Sequence, residues 1–498
     1  MASPALLRDI TFGARVAEEE TSELATYFVE TDQWKRIVRG EIDVVRGEKG
    51  AGKSAIYSLL ITRGDFFFDE NILLVSAEKP RGTPVFKGLV GDPPPTEDAF
   101  VSLWKLYLVT LVAERLRAFG ISGSDADRLL RALEDEGLLE SEFDLGSLFR
   151  LVVSYTKRWL NPEVLDFSIS ADAGTGIPKL DVHIQPGGVN KQEVRARTSV
   201  DELFSLANSA LKDFDRTVWI LLDRLDVAFI ESHQLEKNAL RALFRVYLDL
   251  NEFQNIKLKI FIRSDIWRRI TEEGFREASH ITRAVTLDWS SATLLNLIIR
   301  RLLSNKKFIE QYGIDKDAII NNFEYQKNLF YTVFPAQVEQ GTRKPSTLDW
   351  MITRCADGTD KAAPREVIHL LTALRDEEIR RLERGEPLAP DKQLVDRAVF
   401  KVALPHVSEA RLVQTLYAEY PDLKKFVDAL IGEKTEQTSS TLAVLWKTDE
   451  GGASVVADRL VEVGFFQRRG ERTAVTYWVP FLYRDALKMV QGLAEDAT

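Results

Sequence analysis

The spacing of apolar residues changes along the chain. Short apolar runs rich in β-branched residues recur at Ile42–Val45, Asn71–Val75, Thr217–Leu222, Lys257–Ile262 and Ala284–Leu287. Such runs read as strands buried on both faces. Helical spacing occupies Ser54–Leu60 and Val200–Phe214, and strands alternating with helices predict a parallel α/β sheet. Before the first strand, Ala17–Val29 carries apolar residues at helical spacing among Glu18, Glu19, Glu20 and Glu23. From Ser290 to about Leu382 the pattern is mostly helical, until Gly385-Glu-Pro-Leu-Ala-Pro390 breaks it. A Gly/Pro stretch of this kind predicts a domain boundary. Beyond it, helices are expected at Ser408–Tyr420, Leu423–Ile431 and Gly452–Val463, with strands at Gly464–Arg468 and Thr473–Val479.

The interval between the second and third strands is too long for a compact crossover. Residues about 78–200 are therefore expected as an insertion. It opens on a loop rich in proline and glycine, then shows helical patterns at Glu97–Phe119, Asp125–Asp135 and Leu145–Leu160. A strand-like pair follows, Val164–Ile169 and Leu180–Ile184, around a Gly174-Thr-Gly176 turn. The expected organisation is a core over 1–288, a helical lid over 289–388 and a small C-terminal domain over 389–498.

Composition narrows the function. A chain of 498 residues is too long for one core. Its net charge of −10 argues against a general nucleic-acid coat. One cysteine, Cys355, excludes an internal disulfide and a cysteine-rich zinc site. The five histidines, His183, His233, His280, His369 and His406, are scattered and form no metal-binding pair. The opening residues lack a long apolar segment, and the most apolar helix candidate, Phe100–Val112, is too short to span a bilayer. A cytoplasmic protein without a membrane partner is expected.

The strongest chemical signal is Gly47-Glu48-Lys49-Gly50-Ala51-Gly52-Lys53-Ser54, which fits the phosphate-loop pattern G-x-x-x-x-G-K-[ST] at every fixed position. It stands between an apolar strand and a helix continuing through Ala55, the context the motif needs. Glycines let backbone N–H groups wrap phosphates, and the helix N-terminus adds partial positive charge. Lys53 is expected to reach the β- and γ-phosphates of ATP, and the Ser54 hydroxyl to ligate Mg²⁺. Asp223 ends the third apolar run and is the second expected metal ligand. The next residue, Arg224, cannot act as a base, so Asp226 is the candidate to polarise the attacking water. Arg263 ends the next strand and Arg365 follows Pro364 at a helix start; both are candidates to touch the γ-phosphate. Tyr27, Phe28 and Trp34 are candidates for adenine stacking or for plain core packing.

The order of phosphate loop, Asp223-Arg-Leu-Asp226, strand-end Arg263, Asp288-Trp-Ser290 with Arg300-Arg301, and Pro364-Arg-Glu366 resembles the AAA+/STAND group of P-loop ATPases, in particular bacterial KAP-like and related orphan ATPases. The resemblance covers roughly 35–80 and 215–385. It implies that Arg263 stands at the sensor 1 position and Arg365 at sensor 2. It also implies an oligomer with an arginine supplied in trans, for which Arg268, Arg269, Arg276 and Arg283 are available. Arg224, in place of the usual acid, departs from the pattern. The C-terminal domain resembles a winged helix with a basic tip of Arg468, Arg469 and Arg472. Acidic residues nevertheless outnumber basic ones over 405–498, 14 to 11, which favours protein contact over DNA.

The expected function is an Mg²⁺-dependent ATPase switch or assembly factor, oligomeric, acting with a protein effector in phage defence or stress response. The alternatives are a DNA-processing ATPase and a non-hydrolysing nucleotide-dependent scaffold.

Overall fold

A computed structural model describes residues 4–14, 20, 23–78, 89–90, 96–139, 144–159, 168–169, 199–225, 233–272, 274–390, 393–470 and 475–495. The chain forms two compact units, one of Asp32–Gly47 and Lys53–Leu287, the other of Met1–Thr31, Glu48–Gly52 and Asp288–Thr498.

The first unit is built on a five-stranded parallel sheet. Its strands are β1 (Val44–Gly47), β2 (Ile72–Ser76), β5 (Thr217–Leu222), β6 (Ile256–Arg263) and β7 (Ala284–Thr286), in the order β2-β5-β6-β1-β7. All five apolar runs read from the sequence are strands of this sheet. Because every pairing is parallel, all carboxyl ends lie along one edge. A short antiparallel ribbon pairs β3 (Leu89–Val90) with β4 (Ser168–Ile169). Most of the strand pair expected over Val164–Ile169 and Leu180–Ile184 lies outside the described residues.

The 78–200 stretch contributes directly to the core of this unit. Helix Glu97–Ala118 shares one hydrophobic cluster with Leu73, Val75, Val218, Ile220 and helix His233–Leu250. Its apolar residues occur on nearly every side, as in a buried core helix. Two buried aromatic side chains on it donate to backbone carbonyls. Trp104 Nε1 donates to Ala239 O at 2.8 Å and Tyr107 OH donates to Ala77 O at 2.7 Å. Within the stretch expected as an insertion, this helix belongs to the hydrophobic core of the unit.

A buried ion cluster underlies β1. Lys259 Nζ donates to Asp43 Oδ1 and to Ile42 O, both at 2.7 Å, and Arg283 Nε donates to Asp43 Oδ2 at 2.5 Å. Burial pushes the Lys259 ammonium pKa down, and Asp43 opposes that shift. This cluster explains why Lys259 is retained at a buried position of β6.

The second unit gathers the N-terminal Leu6, Leu7, Ile10 and Phe12 with helices Ser291–Leu302, Thr347–Cys355, Pro364–Glu383 and Val399–Arg411 in one hydrophobic cluster. The N-terminal segment, expected with the sheet, packs here instead. Arg301 pairs with buried Glu20 at 2.9 Å and lies over the Tyr27 ring. The stretches expected as lid and C-terminal domain share the cluster, and Asp396 N donates to Glu378 Oε2 at 2.9 Å.

The end of the chain forms a four-stranded sheet of β8 (Lys434–Thr438), β9 (Gln467–Arg469), β10 (Thr476–Trp478) and β11 (Val490–Leu493), ordered β11-β8-β10-β9. Strand β10 runs antiparallel to β8 and β9. Helices Ser439–Trp446 and Glu450–Glu462 connect β8 to β9. The first begins in a capping box of Thr438 and Thr441, and the second is capped by Asp449. Strand β8 and helix Ser439–Trp446 were not expected. The polar strand Lys-Thr-Glu-Gln-Thr lacks an apolar run, and the helix is eight residues long. The expected helix Leu423–Ile431 is shorter, Lys424–Asp428. The helix expected over Ser408–Tyr420 starts earlier, at Val399, and passes into a π-helical turn at Leu412–Tyr417. Among the described residues no helix is long and apolar enough to cross a membrane.

Cys355 is buried in the second unit, and burial pushes its thiol pKa well above the ordinary value. Neither thiolate nor access is available in the folded state. Iodoacetamide at pH 8 is therefore expected to leave native protein unlabelled and to label one site after denaturation. Rapid native labelling, read by mass spectrometry, would contradict this packing.

Candidate nucleotide-binding site

Strand β1 ends at Gly47, and Lys53 opens the helix Lys53–Thr62. Lys53 Nζ donates to Gly47 O at 2.9 Å. Ser54 and Ala55 occupy the first turn of this helix, half-buried. In sheet register Gly47 lies beside Arg263, and Asp223 follows Leu222 at the end of β5, two strands away from β1. Lys53, Ser54, Arg263 and Asp223 thus all belong to the carboxyl edge of one parallel sheet, where open α/β sheets bind ligands. This is a P-loop fold.

Asp223 is buried. Arg224 after it adopts φ +58°, a left-handed backbone rarely used by non-glycine residues. Such strain is characteristic of functional turns. Asp226 lies outside the described residues. Arg263 forms a two-pronged pair with Asp265, Nε to Oδ1 at 3.0 Å and Nη2 to Oδ2 at 2.8 Å. Ser54 and Asp223 offer a hydroxyl and a carboxylate, hard oxygen donors suited to Mg²⁺. Among the described residues no three His, Cys, Asp or Glu side chains converge on one point. That donor set fits an ion that takes its remaining ligands from phosphate and water.

The residues between Gly47 and Lys53 pack within the second unit. Gly50 and Gly52 adopt φ +85° and +98°, which favours glycine. A Cβ on Gly50 would also come within 3.1 Å of Arg365 Cβ and 3.4 Å of Glu366 Oε2. Ala51 N donates to Glu48 O at 3.1 Å, closing the turn, and Trp289 Nε1 donates to Ala51 O at 2.9 Å. Lys49 pairs with Glu419. Arg365 is the first residue after Pro364 in helix Pro364–Glu383, as the sequence suggested. It donates to Thr415 Oγ1 at 2.6 Å and to Glu366 Oε1 at 3.2 Å. The structure therefore brings Arg365 against the loop residue Gly50 within this unit.

Other sequence candidates have different employment. Tyr27 and Trp34 are buried, with Arg301 over the first ring and Arg63 over the second. Arg283 is committed to Asp43, and Arg269 pairs with Glu236 at 3.2 Å. At the expected basic tip, Arg469 lies 3.7 Å from the Trp478 ring centroid and Arg468 pairs with Asp458 at 3.5 Å. Arg472 lies outside the described residues. One acid escaped the sequence reading. Glu78, two residues past β2, is completely buried at the same sheet edge. Its signal was the one used for Asp223, an acid closing an apolar strand, but the proline-rich loop after it obscured the strand end.

No protein-family profile matches this sequence, and no curated protein matches it. Among solved structures, the chain is similar to the Walker-type ATPase paby2304 of Pyrococcus abyssi, at 10% identity over 93% of this chain and 96% of that one, with a TM-score of 0.40. It is also similar to the Aeropyrum pernix ORC1 protein in complex with DNA, at 13% identity over 97% and 94%, TM-score 0.34. A third similarity is to the Aeropyrum pernix ORC2 protein in its ADPNP–ADP complexes, at 9% identity over 94% and 92%, TM-score 0.29. These overlaps are loose, and the fold assignment rests on the sheet order and the phosphate loop themselves.

Proposed function

We propose that the protein is an Mg²⁺-dependent ATPase whose nucleotide state drives a switch or assembly step. The observation that carries this reading is the alignment of Lys53, Ser54 and Asp223 on one sheet edge, with a glycine-dependent loop between β1 and its helix. In this reading the loop N–H groups and Lys53 bind the β- and γ-phosphates, while Ser54 and Asp223 hold Mg²⁺, which neutralises charge on the phosphates. Arg263 senses the γ-phosphate from the end of β6. Arg365 does so from the start of its helix, exchanging its bonds to Glu366 and Thr415 for phosphate oxygens. A guanidinium suits that exchange because it stays charged and donates in parallel. Asp226 is the sequence's own candidate for polarising water.

The C-terminal strands and helices are proposed as a winged helix that relays the state to a protein effector or to further copies of the chain. The excess of acidic over basic residues across 405–498 supports protein contact over DNA, since DNA binding needs phosphate neutralisation. Phage defence or stress response is the setting that the resemblance to KAP-like ATPases suggests.

Steady-state phosphate release from ATP, with Mg²⁺ or EDTA and with or without single- or double-stranded DNA, tests the reading. Mg²⁺-dependent release indifferent to DNA is expected. Strong stimulation by DNA would replace it with a DNA-processing ATPase. Tight ATP binding without release would leave a nucleotide-dependent scaffold, and absence of both would end it.

A further inference from the structure

We propose that Glu78 is the general base of this ATPase, taking the proton from the water that attacks the γ-phosphorus; the assignment rests on the ATPase reading above. Hydrolysis of this kind needs a carboxylate within one water of the γ-phosphate. The position directly after Asp223 is Arg224, which can accept no proton.

Sheet register supplies the alternative. Strand β2 is the hydrogen-bonded neighbour of β5, with Ser76 beside Leu221 and Ala77 N donating to Leu221 O at 2.9 Å. Glu78 therefore leaves the sheet beside Leu222 and Asp223, on the edge that carries Lys53. It is 0% exposed.

The surroundings fix its position. Tyr57, one turn into the helix that Lys53 begins, donates its hydroxyl to Glu78 O at 2.7 Å, and Ser76 Oγ donates to the same oxygen at 2.5 Å. Tyr107 holds Ala77 O from the buried helix Glu97–Ala118. The backbone that carries Glu78 is thus tied both to the phosphate-loop helix and to the core. Burial raises the Tyr57 hydroxyl pKa above its ordinary value, and Asp223 and Glu78 both push it further up.

The step balances without a further reactant. The water oxygen bonds to the γ-phosphorus as the bond to the β–γ bridging oxygen breaks. ADP leaves with that electron pair, and Glu78 takes the water proton and releases it to solvent with the phosphate.

The test uses the full chain and three variants, Glu78→Gln, Glu78→Asp and Asp226→Asn, measuring phosphate release across pH, ATP affinity by titration and thermal melting. Glu78→Gln is expected to lose at least about a hundredfold in kcat, the size of a general-base contribution. Its ATP affinity and melting temperature are expected to stay near wild type, and the acid limb of its pH–rate profile to disappear. Glu78→Asp is expected to restore part of the rate and the acid limb. A Glu78→Gln rate close to wild type, or loss confined to Asp226→Asn, overturns the assignment and leaves the ATPase reading intact. If Glu78→Gln fails to fold, a folded Glu78→Asp with an unchanged rate and pH profile overturns it equally. Wild-type protein that releases no phosphate removes both readings.

Discussion

Lys53→Ala is expected to lower ATP affinity by about two to four orders of magnitude and to abolish measurable turnover. The helix N-terminus and the loop amides attract phosphate through partial charges, whereas Lys53 brings a full charge on a side chain long enough to span two phosphates. Each hydrogen bond from a charged group contributes about 1.5–3 kcal/mol. Two such bonds, one to a β and one to a γ oxygen, amount to about 3–6 kcal/mol, which corresponds to that range of affinity. Lys53 Nζ now donates to Gly47 O, a contact exchanged when phosphate enters, so the net effect falls towards the lower end. The folded state should barely change, because the ammonium is only part-buried. Titration with a fluorescent ATP analogue, beside a thermal melt, separates the two effects. Unchanged affinity in a folded variant would remove the proposed site.

What could be read in advance follows the physics of each signal. Strands of a covered parallel sheet are largely apolar, so all five runs were visible, and the phosphate loop marked where their carboxyl edge lies. Asp223 and Arg263 could then be placed as strand-end residues. Tertiary choices were not visible. Helix Glu97–Ala118 is apolar on nearly every side, but nothing in its own pattern says which sheet covers it. Leu6, Leu7, Ile10 and Phe12 pack with helices roughly three hundred residues away in sequence. Glu78 carried the local signal of an acid after an apolar run, but its place beside Asp223 comes from the register of β2 on β5, which no local pattern encodes. Strand β8 buries polar Thr435 and Gln437 in place of apolar side chains, and a five-residue polar run carries no periodic signal.

The largest stability effect is expected at Arg411, and its contrast with Arg365 separates structure from sensing. Arg411 is buried and donates to Glu366 Oε1 at 3.1 Å, to Asp357 Oδ2 at 3.1 Å and to Tyr483 OH at 3.3 Å. Burial works against its charge, but Tyr483, Glu366 and Asp357 outweigh it and hold its pKa above the ordinary value. Arg411→Leu keeps much of the volume and leaves buried carboxylates without their main counter-charge, a change that costs about 3–5 kcal/mol. For a unit of this size that lowers the melting temperature by about 6–20 °C. Arg365 shares Glu366 Oε1, but its side chain is 23% exposed and Glu366 retains Arg411 when it is removed. Arg365→Ala should therefore cost no more than about 1 kcal/mol. Its effect should appear in nucleotide binding instead, as a lost preference for ATP over ADP, because the lost guanidinium is the group proposed to meet the γ-phosphate. Melting curves and paired ATP and ADP titrations on both variants decide the matter. If Arg365→Ala melts as low as Arg411→Leu and still prefers ATP, Arg365 is a structural partner of Glu366, and γ-phosphate sensing belongs to Arg263 alone.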